Sequence, residues 1–260
     1  MVTVMKKYNF AFFCSKELVS FFKIHFKKLL SCNVIFVYSC NSNQLDVNEY
    51  NFQLNKDNNY EFLDKFKVEF CLVYGWDYLI PESVLNKYDF YNMHPSLLPK
   101  YRGPLPVLYQ MLNKESILGI TLHKMDRYFD SGDVYKQISF EVEEELDYLA
   151  VVMKILRLAI QLVYSFIEDY AKQTVVLVPQ DNSQSTYYSK RDLDRYIIDS
   201  TFTYQEFYRL GCIFKDYFPF RVRIGSKIYV IKSFSLEPGE CTQKFELVDQ
   251  VVYLRLDTDS

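Results

Sequence analysis

Short apolar runs alternate with amphipathic stretches through the first third of the chain, and no other feature limits the fold as much. Tyr8-Asn9-Phe10-Ala11-Phe12-Phe13-Cys14, Asn33-Val34-Ile35-Phe36-Val37-Tyr38 and Val68-Glu69-Phe70-Cys71-Leu72-Val73-Tyr74 are brief and rich in β-branched or aromatic side chains. Such runs read as strands buried on both faces. Between the first two, Leu18, Phe21, Phe22, Phe26, Leu29 and Leu30 form a helical stripe, Lys23, Lys27 and Lys28 face outward, and Ser15 stands where a cap belongs. A shorter helix is expected around Tyr60–Lys67. This alternation predicts an α/β fold with a Rossmann-like, mostly parallel, doubly wound sheet. The first strand–helix turn, Cys14-Ser15-Lys16, has no glycine. A dinucleotide pyrophosphate needs several glycines there to reach the backbone, so an NAD or FAD site is excluded.

The chemistry concentrates at one strand end. Tyr88-Asp89-Phe90-Tyr91 reads as the start of a buried strand and runs into Asn92-Met93-His94-Pro95-Ser96-Leu97-Leu98-Pro99-Lys100-Tyr101-Arg102-Gly103-Pro104. Side chains two apart on a strand share a face, so Asn92 and His94 are expected to point the same way. Pro95 lacks an N–H and stops the ladder. Further on, Gly119–Met125 and Val134–Val142 read as two extended runs joined by Tyr128-Phe129-Asp130-Ser131-Gly132-Asp133, a hairpin that would carry Asp130 toward His94. A carboxylate beside that ring would orient it and raise its pKa. An imidazolium and an amide both suit an oxygen that gains negative charge. His123, mid-strand and outside these motifs, reads as structural.

The set Asn92-x-His94-x-Ser96-Leu97-Leu98-Pro99-x-Tyr101-Arg102-Gly103, followed by Asp130-Ser131-Gly132-Asp133, resembles the folate-dependent formyltransferase family. That family includes enzymes acting on methionyl-tRNA and on nucleotide-linked amino sugars. Pro179-Gln180-Asp181 through Thr186-Tyr187-Tyr188 resembles the segment leaving their catalytic domain, and the likeness runs from about residue 9 to about residue 190. It implies Asn92, His94 and Asp130 as catalytic residues and 10-formyltetrahydrofolate as co-substrate, with no metal. It implies folate contacts at Gly75, Trp76, Leu79, Ile80, Met125, Arg127 and Asp133. Substrate contacts are expected at Trp76, Asp77, Ser96, Lys100, Tyr101, Arg102 and Gly103, with Arg102 meeting a phosphate or a cofactor carboxylate. From the residues alone, Trp76 also reads as core, and Asp77 as a turn cap.

The substrate expectation is a nucleotide-linked amino-dideoxy sugar, dTDP-4-amino-4,6-dideoxyglucose first, for surface polysaccharide or O-antigen synthesis. Methionyl-tRNA or glycinamide ribonucleotide formylation and a non-catalytic folate or nucleotide module are the alternatives. A net charge of −3 leans away from tRNA or other nucleic acid, which calls for a broad basic face. The 23 Tyr and 22 Phe read chiefly as compositional drift, though some could stack on a base or a pterin. Cys14, Cys32, Cys40, Cys71, Cys212 and Cys241 make no C-x-x-C pair and read as buried thiols in a reducing cytoplasm. No apolar run is expected to reach a membrane span, and Met1–Lys7 lacks the layout of a signal peptide.

Asp147 is placed to cap a long helix whose stripe includes Leu149, Val152, Leu156, Ala159, Ile160, Val163 and Phe166. A catalytic domain is expected over residues 1–185. Residues 186–260 are expected to add a helix at Thr203–Lys215 and a hairpin turning at Gly225-Ser226, with dimer contact as a possible use.

Overall fold

The computed structural model describes residues 7–29, 32–39, 51–54, 60–76, 78–142, 147–214 and 217–258. Residues 1–6, Leu30, Cys40 and Asp77 lie outside them. Among the described residues, seven strands make the main sheet: β1 (Tyr8–Ser15), β2 (Cys32–Ser39), β3 (Asn51–Leu54), β4 (Phe70–Tyr74), β5 (Phe90–His94), β6 (Ile117–Lys124) and β7 (Val134–Glu141). Their order is β3-β2-β1-β4-β5-β6-β7. The first five are parallel, while β6 runs antiparallel to β5 and β7 antiparallel to β6. The run at residues 68–74 is thus the fourth strand rather than the third. The edge strand β3 gave no apolar run because Asn51-Phe52-Gln53-Leu54 is short and half polar.

Alternation along the strands sends side chains to two cores. Phe10, Phe12, Phe70, Tyr91 and Met93 face a large core that α1 (Lys16–Phe26) and α5 (Tyr148–Lys172) cover. Helix α1 buries Val19, Phe22 and Phe26 there, and Ser15 stands at its N-cap without a side-chain capping bond. Phe13, Cys71, Val73 and Phe90 face a smaller core that includes Phe62 of α2 (Phe62–Lys65), with Val84 and Leu85 of α3 (Glu82–Leu85) packed against it. Asn92 and His94 continue the Phe90 side of β5. The chemistry therefore lies on the side of the sheet that carries the two short helices.

In α5, Asp147 accepts a capping bond from Ala150 N at 2.8 Å. The buried face runs through Val151, Ile155, Leu156, Ala159, Leu162, Val163 and Phe166, while Leu149 is exposed. A 25-residue helix turning every 3.6 residues drifts off a heptad stripe, which explains the difference at its first turn. By length and hydropathy alone α5 could cross a membrane, so the expectation of no such run is corrected, and half of its most apolar window is buried inside the protein.

Helix α4 (Pro106–Leu112) follows the Pro104-Leu105 entry and is buried throughout. Beyond α5 come two 3-10 turns, Asn182–Gln184 and Lys190–Tyr196, then α6 (Tyr204–Phe214). The strands β8 (Arg221–Ile224), β9 (Lys227–Ser235), β10 (Gln243–Glu246) and β11 (Val251–Thr258) form an antiparallel sheet ordered β10-β11-β9-β8. Phe207, Phe220, Val222, Val252 and Leu254 from this part belong to the same core as Phe10 and Phe166. Arg209 of α6 donates from Nη1 to the Met111 carbonyl at 3.1 Å and from Nη2 to that of Leu112 at 3.4 Å, at the end of α4.

Candidate active site

The end of β5 meets the turn between β6 and β7. Asp130 Oδ1 lies 3.4 Å from His94 Nδ1, accepts from Asn92 Nδ2 at 3.2 Å, and lies 3.5 Å from His123 Nε2. Asp130 Oδ2 accepts from Gly103 N at 2.9 Å. His94 Nε2 is 2.8 Å from the Tyr101 carbonyl. A carbonyl only accepts, so Nε2 carries a hydrogen and Nδ1 is the nitrogen facing the carboxylate. His94 is 4% exposed and the Asp130 side chain 14%, so the cluster is nearly shut off from bulk water.

Burial pushes His94 below its ordinary pKa, while Asp130 and the Tyr101 carbonyl push it up without making good the difference. The expected rise is therefore corrected. The carboxylate acts with the anticipated sign, and desolvation outweighs it. Burial would raise Asp130, yet His94, His123 and the Gly103 N–H together hold it well below the ordinary carboxylate range.

The mid-strand position of His123 reads as structural, and the structure brings it into the cluster. It faces Asn92 across the β5–β6 ladder, and its Nε2 is 3.4 Å from Asn92 Nδ2. Its Nδ1 donates to the Lys124 carbonyl at 3.0 Å, so Nε2 is the nitrogen turned toward Asn92 and Asp130. Only the antiparallel register carries that information; nothing in the local pattern of β6 does.

Tight backbone approaches hold the two stretches together. A Cβ on Gly132 would lie 1.8 Å from the Lys124 carbonyl oxygen, and one on Gly103 2.6 Å from the Tyr187 ring. Asp130 itself adopts a left-handed backbone, φ 52°.

A family model described as formyl transferase matches residues 31–166. The chain belongs to the formyl transferase family. Among curated proteins, the methionyl-tRNA formyltransferase of Fervidobacterium nodosum is 34% identical over 130 residues, 50% of this chain and 41% of that protein. The chain thus spans less than half the length of that relative. Among solved structures, a 4-N formyltransferase from Francisella tularensis superimposes with a TM-score of 0.70 at 22% identity, over 85% of this chain and 93% of that one. The formyltransferase PseJ from Anoxybacillus kamchatkensis, solved with UDP-4,6-dideoxy-4-formamido-L-AltNAc and tetrahydrofolate, gives 0.54 at 18% identity, over 72% of this chain and 89% of that one. At such identities the structural likeness shows the fold.

Within this formyl transferase fold, the other residues singled out from sequence fall into three groups. Ser96 and Tyr101 are buried in the loop's own scaffold. Ser96 Oγ donates to the Lys100 carbonyl at 2.8 Å, and Tyr101 Oη donates to Glu115 Oε1 at 2.6 Å. Arg102, expected to meet a ligand anion, instead gives Nε and Nη2 to Gln180 Oε1 at 3.2 and 2.7 Å and Nη2 to Asn182 Oδ1 at 2.7 Å. These three side chains hold the loop together, and Arg102 ties it to the segment at residues 180–182. Lys100 and Asp133 are exposed.

Gly75, Trp76, Leu79 and Ile80 follow the end of β4. Trp76 packs edge-on against Phe13 with 5.2 Å between ring centres, and its Nε1 is buried with no hydrogen-bond partner among the described residues. Leu79 is 74% exposed, whereas Ile80 is in the smaller core. Met125 and Arg127 line a cleft of about 650 Å³ with Leu85, Tyr88 and Lys124, on the side where β4 and β5 begin. The expected folate contacts are therefore split between the two ends of β4.

Proposed function

We propose that this chain is an N-formyltransferase that moves a formyl group from 10-formyltetrahydrofolate to the amine of a nucleotide-linked amino-dideoxy sugar. The observation that carries the reading is the convergence of Asn92, His94 and Asp130 on one point at the end of β5. Trp76 keeps a buried indole N–H that no described residue satisfies, and exposed Leu79 follows three positions on; such an aromatic and apolar stretch suits a flat heterocycle such as a pterin. Bound folate would supply the formyl carbon.

The residues divide the remaining work. Among the described residues Asn92 Nδ2 has one firm acceptor, Asp130, and a long 3.4 Å approach to His123, so its second N–H is available to a carbonyl oxygen gaining charge. With Nε2–H committed to Tyr101, His94 is less an oxyanion donor than a proton acceptor at Nδ1. When Nδ1 takes the amine proton, directly or through water, Asp130 faces the new N–H and steadies the cation. A lowered histidine pKa keeps that nitrogen free near neutral pH.

The nucleotide-sugar class is supported by overlay on the 4-N formyltransferase and on PseJ with its UDP-linked formamido sugar. Our leading acceptor is dTDP-4-amino-4,6-dideoxyglucose, with a homodimer in the cytoplasm as the working form. Similarity to methionyl-tRNA formyltransferases favours tRNA as the second reading. Thermal unfolding with dTDP, UDP, GDP or initiator tRNA, each with and without folate, separates them, because a ligand at about a hundred times its Kd adds about 2.7 kcal/mol. A shift with tRNA and none with nucleotides would overturn the acceptor class. Replacing Asn92 by Ala should lower turnover about a hundredfold to a thousandfold. His94→Ala should cost about a hundredfold or more. Near-normal turnover in both variants would sink the catalytic assignment.

A further inference from the structure

We propose that Gln180 is a positioning residue of this site, a polar clamp that sets the Asp130 carboxylate against His94. The inference rests on the formyl-transfer reading above. Gln180 Nε2 donates to the Asp130 carbonyl at 2.9 Å and to the Gly132 carbonyl at 2.7 Å. Its Oε1 accepts from Arg102 Nε at 3.2 Å and from Arg102 Nη2 at 2.7 Å. One amide therefore spends both hydrogens on the turn that carries Asp130, and its oxygen on the loop whose Gly103 N–H holds the same carboxylate.

The clamp is itself anchored. Two residues earlier, Val178 and Val134 exchange backbone hydrogen bonds of 2.8 Å, tying the segment to the start of β7. Past the clamp, Thr186 accepts from Arg102 N at 2.9 Å, and Thr186 Oγ1 accepts from Tyr101 N at 2.8 Å. Asp130 needs such support because a left-handed backbone is disfavoured for a residue with a Cβ. Released from Gln180, the turn can relax and carry the carboxylate away from His94. A displacement of about 1 Å is enough to cost about a hundredfold in rate. Gln180 acts through Asp130 and Arg102.

The test uses the full chain as wild type, Gln180→Met and Gln180→Glu. Methionine keeps the length of the side chain and loses all four bonds; glutamate keeps the Arg102 contact and loses both donations. With 10-formyltetrahydrofolate and dTDP-4-amino-4,6-dideoxyglucose, kcat should fall about tenfold to a hundredfold in both variants, with KM little changed. Independently of substrate, NMR titration of the histidines reads the clamp directly, since the chain has only three. The charged and titratable groups acting on His94 are Asp130, His123 and Arg102. Asn182 still holds Arg102 in the methionine variant, so withdrawal of Asp130 should move the His94 titration to lower pH. Should methionine prevent folding, as circular dichroism would show, the glutamate variant decides by kcat. Wild-type kcat in the glutamate variant, or an unmoved His94 titration in a folded methionine variant, would overturn the proposal. A wild-type protein without formyl transfer would sink the reading of function, and the titration would still judge the clamp.

Discussion

Asp130 is pulled in two directions, and the balance makes its site sensitive to acid. Burial raises its carboxyl, but the two histidines and the Gly103 N–H win and hold it low. A carboxyl held low stabilises the fold above its unfolded value of about 3.9 and gives this up as pH falls through the folded value. His94, also held low, adds to the acid loss, because the unfolded chain takes up that proton first, from about pH 6.5 downward. Urea midpoints of wild type and Asp130→Asn should therefore draw together below about pH 4, and parallel curves would contradict this. In the same variant the acid limb of kcat/KM should move to lower pH as the plateau drops, since the carboxylate raises His94. A limb moving the other way would mean that Asp130 does not act on His94.

Two elements make the site rigid in different ways. The β6–β7 hairpin does so by close approach: alanine at Gly132 would put its Cβ 1.8 Å from the Lys124 carbonyl oxygen. Gly132→Ala should lose about 1–3 kcal/mol or more in urea unfolding, and should lose turnover as well because the turn carries Asp130. Helix α5 does so by burial. Phe166 is fully buried and its ring meets Phe70, Tyr91 and Tyr135, so it backs β5 from the opposite face. Phe166→Ala should cost about 3–5 kcal/mol, with little change in turnover for the fraction that stays folded. A loss under 1 kcal/mol would mean that the helix is not packed there.

For the molecule as a whole, the continuous core matters more than the count of sheets. Phe207, Val222, Val252 and Leu254 share one core with Phe10 and Phe166, and Tyr109 Oη of α4 donates to the Ser189 carbonyl at 2.7 Å. The expected division near residue 185 falls inside this packing. Unfolding followed by calorimetry and by tyrosine fluorescence should show one transition, with equal calorimetric and van't Hoff enthalpies. Two separated transitions would show that residues 186–260 fold on a core of their own.

Local periodicity was enough to place most of the strands, the long helix, the turn at Gly225-Ser226, and the pairing of Asn92 with His94 on one side of a strand. Each depends on spacings of a few residues, which a chain displays whether or not it is folded. His123, Gln180 and the engagement of Arg102 were out of reach of that kind of reading. His123 meets Asn92 through the register of two antiparallel strands, and Arg102 meets Gln180 across 78 positions of sequence. Tertiary packing alone decided those meetings, because it sets which distant backbones come close enough to share a hydrogen bond.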